Sequence, residues 1–242
     1  MRLPEVILGS AILALSLAGP GSAFEPEEAN NPLVNQFLTA SKKQQEALRG
    51  TQMEVDIDAQ LPKLKESGKM KVLKTITTLG KIGFNKLGDF VGDRTVQHEV
   101  IERYLELENE NSENPDNPSI AITPANYKFR LKTKMTQGDS RTYVFELTPK
   151  KRVVGLFKGE LWVDAATGMP LRESGTLVKT PSIFLKSISF VNEYKLQNGV
   201  SLPSHIECHI VTHIAGRADL NIHFSHIAPA AEQEPAQIAD TP

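Results

Sequence analysis

Alternation of apolar and polar side chains dominates the chain and predicts β-strands. Residues 53–61 alternate apolar with mostly acidic side chains, and residues 69–72 alternate lysine with apolar ones after an expected turn at Ser67-Gly68. A period of two places one set of side chains on each face of a strand. The two segments therefore predict a hairpin with an apolar inner face, and its outer face sets acidic beside basic side chains.

The clearest alternation begins at Tyr127 and continues through segments separated by short turns, one of them Asn198-Gly199, which is typical of a hairpin. Further strands are predicted over residues 127–135, 143–147, 153–163, 171–179, 183–196, 200–214 and 220–224, and a weaker one within 80–90. Turns this short require antiparallel pairing. The sequence therefore predicts a mainly β (α+β) fold, a curved antiparallel meander of about 10–11 strands that curls into an open half-barrel.

Two segments instead repeat apolar residues every three or four positions, which predicts α-helices. The first begins at Asn31-Pro32, with Asn31 as the cap, carries Val34 and Phe37 on its apolar stripe, and ends at Gly50. The second is expected from Asp93 to Leu107. We expect the two helices to cover the concave face of the half-barrel, because an apolar surface of that size must be covered by something.

The ends of the chain differ in composition from its centre. Residues 1–23 combine Arg2, an apolar run and small residues at Gly21-Ser22-Ala23, the pattern of a cleaved signal peptide. The apolar run is too short to span ~30 Å of hydrocarbon. We expect a periplasmic protein with a single domain over residues 24–227, a flexible acidic loop at 108–118 and a disordered tail at 228–242.

Composition excludes several classes of protein. The chain has 242 residues, 40% of them hydrophobic, and its 27 basic and 29 acidic side chains give a net charge of −2. These values are typical of a folded soluble chain, and they provide no electrostatic reason to expect nucleic acid as a partner. The single cysteine, Cys208, cannot form an internal disulfide and is expected to be a small buried side chain.

Candidate catalytic chemistry is sparse. Five of the six histidines fall late in the chain, at His205, His209, His213, His223 and His226. On a strand, residues four apart lie ~13 Å from each other, too far to share one metal ion. A cross-strand partner such as His223 or Glu207 would be needed to complete a metal site. No nucleophile elbow, phosphate-binding loop or paired-cysteine motif is present. We therefore predict a monomer that is not an enzyme and has no metal or cofactor, and a metal-dependent enzyme is the weakest alternative.

Two hairpin segments resemble a known family. Residues 141–150 read Arg-Thr-Tyr-Val-Phe-Glu-Leu-Thr-Pro-Lys, and residues 161–172 read Leu-Trp-Val-Asp-Ala-Ala-Thr-Gly-Met-Pro-Leu-Arg. They resemble the corresponding strands of the periplasmic outer-membrane lipoprotein carrier superfamily (LolA/LolB-like), including its sigma-factor-regulating sensor branch. The resemblance implies a half-barrel whose apolar cleft shelters the acyl chains of a lipid or lipoprotein, without catalysis. It also implies a role in transport and outer-membrane biogenesis.

The lining of such a cleft is expected on the apolar faces of the strands, where each buried methylene contributes about 0.8 kcal/mol. The same side chains are also consistent with an ordinary core under the helices. The candidate lipid-binding residues are Met53, Val55, Ile57, Met70, Val72, Tyr127, Phe129, Leu131, Met135, Tyr143, Phe145 and Leu147.

A basic stripe predicts a second kind of contact. Lys128, Arg130, Lys132 and Lys134 alternate with apolar residues, so one face of that strand is positively charged. A solvated outer face explains the pattern, and so does attraction to anionic headgroups or to a membrane-associated protein partner. The alternative function is therefore a periplasmic protein-interaction or sensor domain on the same fold, with Trp162 as a further partner contact.

Overall fold

The computed structural model describes residues 31–113, 117–137, 140–213 and 216–230. The predicted signal peptide, most of the predicted tail and residues 114–116 of the acidic segment lie outside them. Within the described residues the chain forms eleven strands and two helical segments. The strands are β1 (Thr51–Leu61), β2 (Glu66–Ile76), β3 (Ile82–Lys86), β4 (Val91–Gly92), β5 (Tyr127–Gln137), β6 (Ser140–Pro149), β7 (Phe157–Asp164), β8 (Pro170–Leu177), β9 (Leu185–Gln197), β10 (Val200–Thr212) and β11 (Arg217–Pro229).

All eleven strands belong to one antiparallel sheet in the order β3-β2-β1-β11-β10-β9-β8-β7-β6-β5, with β4 beside β2. The last strand, β11, pairs with β1 and joins the two ends of the chain's folded part. Neither β3 nor β5 closes onto the other, so the sheet is an open half-barrel, as predicted. Its inner face is the apolar face of the strands, and the helices cover that face.

The first helix, α1 (Pro32–Leu48), begins as the sequence predicts. The Asn31 side chain accepts a hydrogen bond from the backbone N–H of Leu33 at 3.0 Å, and Pro32 occupies the first turn, where no backbone N–H is needed. Val34 and Phe37 are buried against the sheet. The helix lies over β8 and β10, and the buried Gln44 amide donates to the Ser201 carbonyl at 2.8 Å.

The second helical segment, α2, is longer than predicted. It starts as a short α turn (Arg94–Val96), continues as a π-helical stretch (Gln97–Glu102) and ends as an α-helix (Arg103–Ser112) that packs over β3. Residues 108–112, predicted as part of a flexible loop, are therefore helical. The reason is that Glu108 is buried and bonded to the sheet, a contact that the acidic composition does not reveal.

Two turns show where sequence signals succeed and fail. Asn198 and Gly199 both have positive φ, at 51° and 74°, which confirms the predicted primed hairpin turn. The turn predicted at Ser67-Gly68 is wrong, because the β1–β2 connection lies at residues 62–65 and Gly68 belongs to β2. Gly68 is there because a Cβ at this position would lie 2.6 Å from the Phe90 ring.

Candidate functional site

Most of the predicted lining residues lie together on the inner face of the sheet. Nine of the twelve are buried in one hydrophobic cluster, and Tyr143 packs against it while partly buried. Leu131 and Met135 are exposed, at 37% and 46%. The buried nine are Met53, Val55, Ile57, Met70, Val72, Tyr127, Phe129, Phe145 and Leu147.

A bulge in β5 separates the last candidates from the others. The register of β5 against β6 shifts between Leu131, which is opposite Phe145, and Thr133, which is opposite Val144. One extra residue reverses the faces of everything that follows it in the strand. Lys134 therefore lies on the inner face over the Tyr143 ring, and Met135 lies on the outer face.

Aromatic rings cross the inner face from α1 to the middle of the sheet. The Phe37 ring on α1 lies 6.5 Å from Phe129, which is 6.0 Å from Phe145. A second group brings Phe157 to 5.7 Å from Tyr127 and 4.9 Å from Phe190. These tilted contacts are favourable ring geometries, so aromatic side chains pack against one another between α1 and the sheet.

The inner face also holds a buried ion pair that sequence reasoning missed. The Lys74 ammonium lies 2.7 Å from a Glu108 carboxylate oxygen, and both side chains are only 2% exposed. The rings of Phe84 and Phe224 lie 5.7 and 5.9 Å from the same ammonium. The sequence did contain one sign of this pair, because Lys74 occupies an apolar position in the alternation of β2. Its partner, Glu108, was predicted to lie in a flexible loop.

A second polar group lies among the apolar residues of β8 and β9. Glu173 is 5% exposed, and its carboxylate accepts a long hydrogen bond of 3.5 Å from the Asn192 amide. Burial raises the pKa of Glu173 to about 7, and the nearby Asn192 and Tyr194 side chains offset this only in part. One oxygen of Glu173, the Asn192 carbonyl and the Tyr194 hydroxyl are buried without a hydrogen bond inside the described residues.

The predicted basic stripe lies on an edge strand and is partly neutralised. Arg130 pairs with Glu146 on β6, and Lys132 pairs with Glu160 on β7. Charged side chains and a bulge on an exposed edge are common means of preventing another chain from pairing with it. Both features occur on β5, so the stripe has a structural explanation that needs no partner.

The late histidines form a row on the outer face instead of one compact site. His205 on β10 is directly opposite His223 on β11, with their rings stacked 4.4 Å apart, and Glu193 is 3.7 Å from His205. His209 contacts Asp219 at 2.6 Å. His213, expected on the same strand face, lies beyond the end of β10. In the described part of the chain, no three His, Cys, Asp or Glu side chains are arranged to hold a metal ion.

The remaining outer-face features are polar. Trp162 donates its indole N–H to Glu160 at 3.1 Å and lies under the Arg172 guanidinium at 5.5 Å, so it is half-buried. A shallow cavity of about 590 Å³ lies over β1, β2 and β11, where its lining includes Asp56, Lys71 and His223. Its lining also includes the apolar side chains Ile57, Met70 and Val91, so its walls mix charged and apolar groups.

Cys208 is 3% exposed on β10, and burial raises the pKa of its thiol to about 12. Because the thiolate is the reactive form, we expect Ellman's reagent to leave the folded protein unlabelled. In denaturant the same reagent should label one thiol per chain. Stoichiometric labelling without denaturant would contradict the buried position.

Comparison of the sequence with protein-family models and with curated proteins gives no match. Among solved structures, the chain is similar to a LolA superfamily protein from Nitrosomonas europaea, with 15% identity, a TM-score of 0.40, and coverage of 83% of this chain and 94% of that one. A domain from Vibrio parahaemolyticus, described as an outer membrane lipoprotein-sorting protein, gives 13% identity, a TM-score of 0.39, and coverage of 80% and 92%.

The MucA/MucB complex from Pseudomonas aeruginosa gives 10% identity, a TM-score of 0.26, and coverage of 83% of this chain and 100% of that one. One of these structures is described as a LolA superfamily protein, and LolA-like proteins are what the two hairpin segments resemble. Among the described residues, no helix is long and apolar enough to cross a membrane.

Proposed function

We propose that the protein is an exported, non-catalytic carrier that shelters acyl chains of a lipid or lipoprotein against the inner face of its half-barrel. The observation that carries the proposal is the margin of that face at β5 and β6. There the inward side chains Leu131 and Tyr143 reach solvent, beside the buried rings of Phe129 and Phe145. An apolar face that opens to water at one edge is a route by which an acyl chain enters.

Burial of apolar surface supplies the driving force. A methylene transferred from water to such a surface contributes about 0.8 kcal/mol, so ten methylenes contribute roughly 8 kcal/mol before the entropic costs of binding. This binding needs no polar chemistry. The ring of Phe37 lies 6.5 Å from that of Phe129, which places α1 at the side of the proposed entrance.

Lys134 adds a charge at the same margin. The β5 bulge places its ammonium 5.7 Å from the Tyr143 ring on the inner face. A lysine can pack its methylenes along apolar surface and keep its charge in water. We infer that an acyl chain enters at Leu131 and Tyr143 with its acidic or polar headgroup remaining near Lys134.

A direct test is lipid analysis of the exported protein. The protein, purified after export with its N-terminus defined by intact mass, should yield about one equivalent of acyl lipid on solvent extraction and mass spectrometry. After delipidation it should bind a fluorescent fatty acid saturably. If extraction yields no lipid and the fatty acid does not bind, the carrier function is wrong.

A substitution locates the entrance. Leu131→Asp places a charge at the apolar margin, and we expect it to weaken fatty-acid binding at least tenfold, since apolar contact is lost and a carboxylate must be desolvated. The matched control is Leu79→Asp, because Leu79 is also an exposed leucine, at 74%, but lies in the β2–β3 turn. The control should change affinity less than twofold. Equal losses in both variants would contradict the assigned entrance.

A further inference from the structure

The hairpin loops of the sheet differ in charge between its two ends. In an antiparallel meander, consecutive loops alternate between the ends, so the loops at 62–65, 150–156 and 178–184 lie at the same end. We call these three loops the basic rim. They carry six cationic side chains and no carboxylate: Lys63, Lys65, Lys150, Lys151, Arg152 and Lys179.

The opposite end provides the comparison. Its described hairpin loops, at 77–81, 165–169 and 198–199, carry a single charged side chain, Lys81. The whole chain has a net charge of −2, so the positive charge of the basic rim is a local concentration. Counting Glu66, the carboxylate next to the rim in sequence, still leaves five positive charges in excess.

The loops of the basic rim form one continuous surface. The backbone N–H of Val178 donates to the Leu156 carbonyl at 2.9 Å, which ties the second loop to the third. The N–H of His213 donates to the Phe184 carbonyl at 3.0 Å, and the Lys63 side chain lies against Gly216. The third loop and the first therefore meet through the β10–β11 connection.

Carboxylates on the adjoining strands are occupied by other groups. Asp93 accepts the backbone N–H of Ser67 at 2.9 Å. Asp219 contacts His209 at 2.6 Å and also pairs with Arg217, which is not counted among the six cations. Arg217 therefore balances Asp219, and Lys65, Lys151, Arg152 and Lys179 are exposed on the basic rim.

Exposed apolar side chains project from the same loops. Ile183 is 86% exposed and Leu64 is 45% exposed, and cations precede both in their loops. Cations attract a protein to anionic lipid headgroups, and apolar side chains at the tips gain free energy by entering the interface. Nucleic acid would interact with the cations but would leave the apolar side chains exposed to water. Cations together with exposed apolar side chains therefore favour a lipid bilayer as the partner.

We propose that the basic rim docks the protein onto an anionic phospholipid surface. Docking depends on the charge of lipid headgroups at one end of the half-barrel, whereas the carrier function depends on acyl chains at its inner face. Either proposal can therefore be wrong while the other is right. The rim orients the axis of the half-barrel towards the bilayer.

Vesicle flotation tests the docking. The exported protein is mixed with vesicles of phosphatidylcholine containing 30 mol% phosphatidylglycerol, or of phosphatidylcholine alone, at about 50 mM salt, where screening is weak. The variant is Lys65→Gln, Lys151→Gln, Arg152→Gln and Lys179→Gln together. The matched control is Lys42→Gln, Lys43→Gln, Lys81→Gln and Lys195→Gln together, which removes four exposed cations elsewhere. Circular dichroism confirms that both variants fold.

The wild type should float with the anionic vesicles and not with the neutral ones, and about 500 mM salt should abolish the binding. Since each cation near such a surface contributes about fivefold, the rim variant should lose at least about a hundredfold in partitioning, and the control less than fivefold. Equal losses in the two variants, equal binding to neutral vesicles, or binding of an oligonucleotide but not of vesicles would overturn the proposal. Unchanged fatty-acid affinity in the rim variant separates this result from the carrier function.

Discussion

Replacing Glu108 with alanine is expected to lower the free energy of unfolding by about 3–5 kcal/mol, because it leaves the Lys74 ammonium buried without a counter-charge. Both side chains of this pair are 2% exposed, and their atoms lie 2.7 Å apart. The rings of Phe84 and Phe224 surround the ammonium but cannot accept its protons as an oxygen does. Urea unfolding followed by circular dichroism measures the loss.

An exposed ion pair near the same two elements provides the control. Lys81 lies 2.8 Å from Glu113, with the two side chains 53% and 60% exposed. Solvent screens such a pair, so Glu113→Ala should cost about 0–1 kcal/mol. The double variant Lys74→Met, Glu108→Leu should recover most of the loss, since an apolar pair fills the same space without a charge. If Glu108→Ala costs no more than Glu113→Ala, the pair is not buried.

Alternation was sufficient to predict the architecture of the sheet. The acidic outer face of β1 lies beside the basic outer face of β2, as the sequence predicted. The pairing of Lys69 with Asp58 at 2.7 Å follows from the observed connection at 62–65, which differs from the predicted turn. Short turns required antiparallel neighbours, and the observed order follows the chain except that β4 pairs with β2 and β11 pairs with β1. A one-sided apolar pattern excludes a slip by one residue, because such a slip exposes the whole apolar face.

The alternation of apolar and polar residues could not predict the bulge in β5. Residues 127–135 alternate without interruption, so nothing in the pattern marks the extra residue at Lys132. The bulge is visible only in the pairing with β6, and it determines which side chains share a face. It places Lys134 beside Tyr143 and removes Met135 from the predicted lining, which moves the proposed entrance to Leu131.

Buried polar groups were the other omission. Glu108 and Glu173 look like ordinary surface carboxylates in sequence, and only long-range packing makes them interior. Burying a carboxylate costs free energy, so sequence reasoning places glutamates at the surface. Both of these glutamates are exceptions to that rule. Both glutamates affect the free energy of unfolding. Glu108 does so through its ion pair with Lys74, and Glu173 does so through its protonation.

For Glu173, we expect stability to fall as the pH rises. Burial raises the pKa of its carboxyl to about 7, well above that of an unfolded glutamate, so the folded protein favours the protonated form. The contribution is fully present below about pH 4.5 and is lost as the pH passes 7. A change of one pKa unit corresponds to about 1.4 kcal/mol, so the loss over this interval is roughly 3 kcal/mol.

Glu173→Gln removes this titration while keeping the size and polarity of the protonated acid. The variant and the wild type should have similar unfolding free energies at pH 4.5, and the variant should be more stable by about 3 kcal/mol at pH 8. Glu146→Gln should show the opposite sign, because the hydrogen bond from Arg130 lowers the pKa of Glu146 and stabilises the protein only above acidic pH. If the difference between Glu173→Gln and the wild type stays constant with pH, then water reaches the carboxyl. The inner face between β8 and β9 would then be hydrated, and the apolar cleft proposed for acyl chains would not extend there.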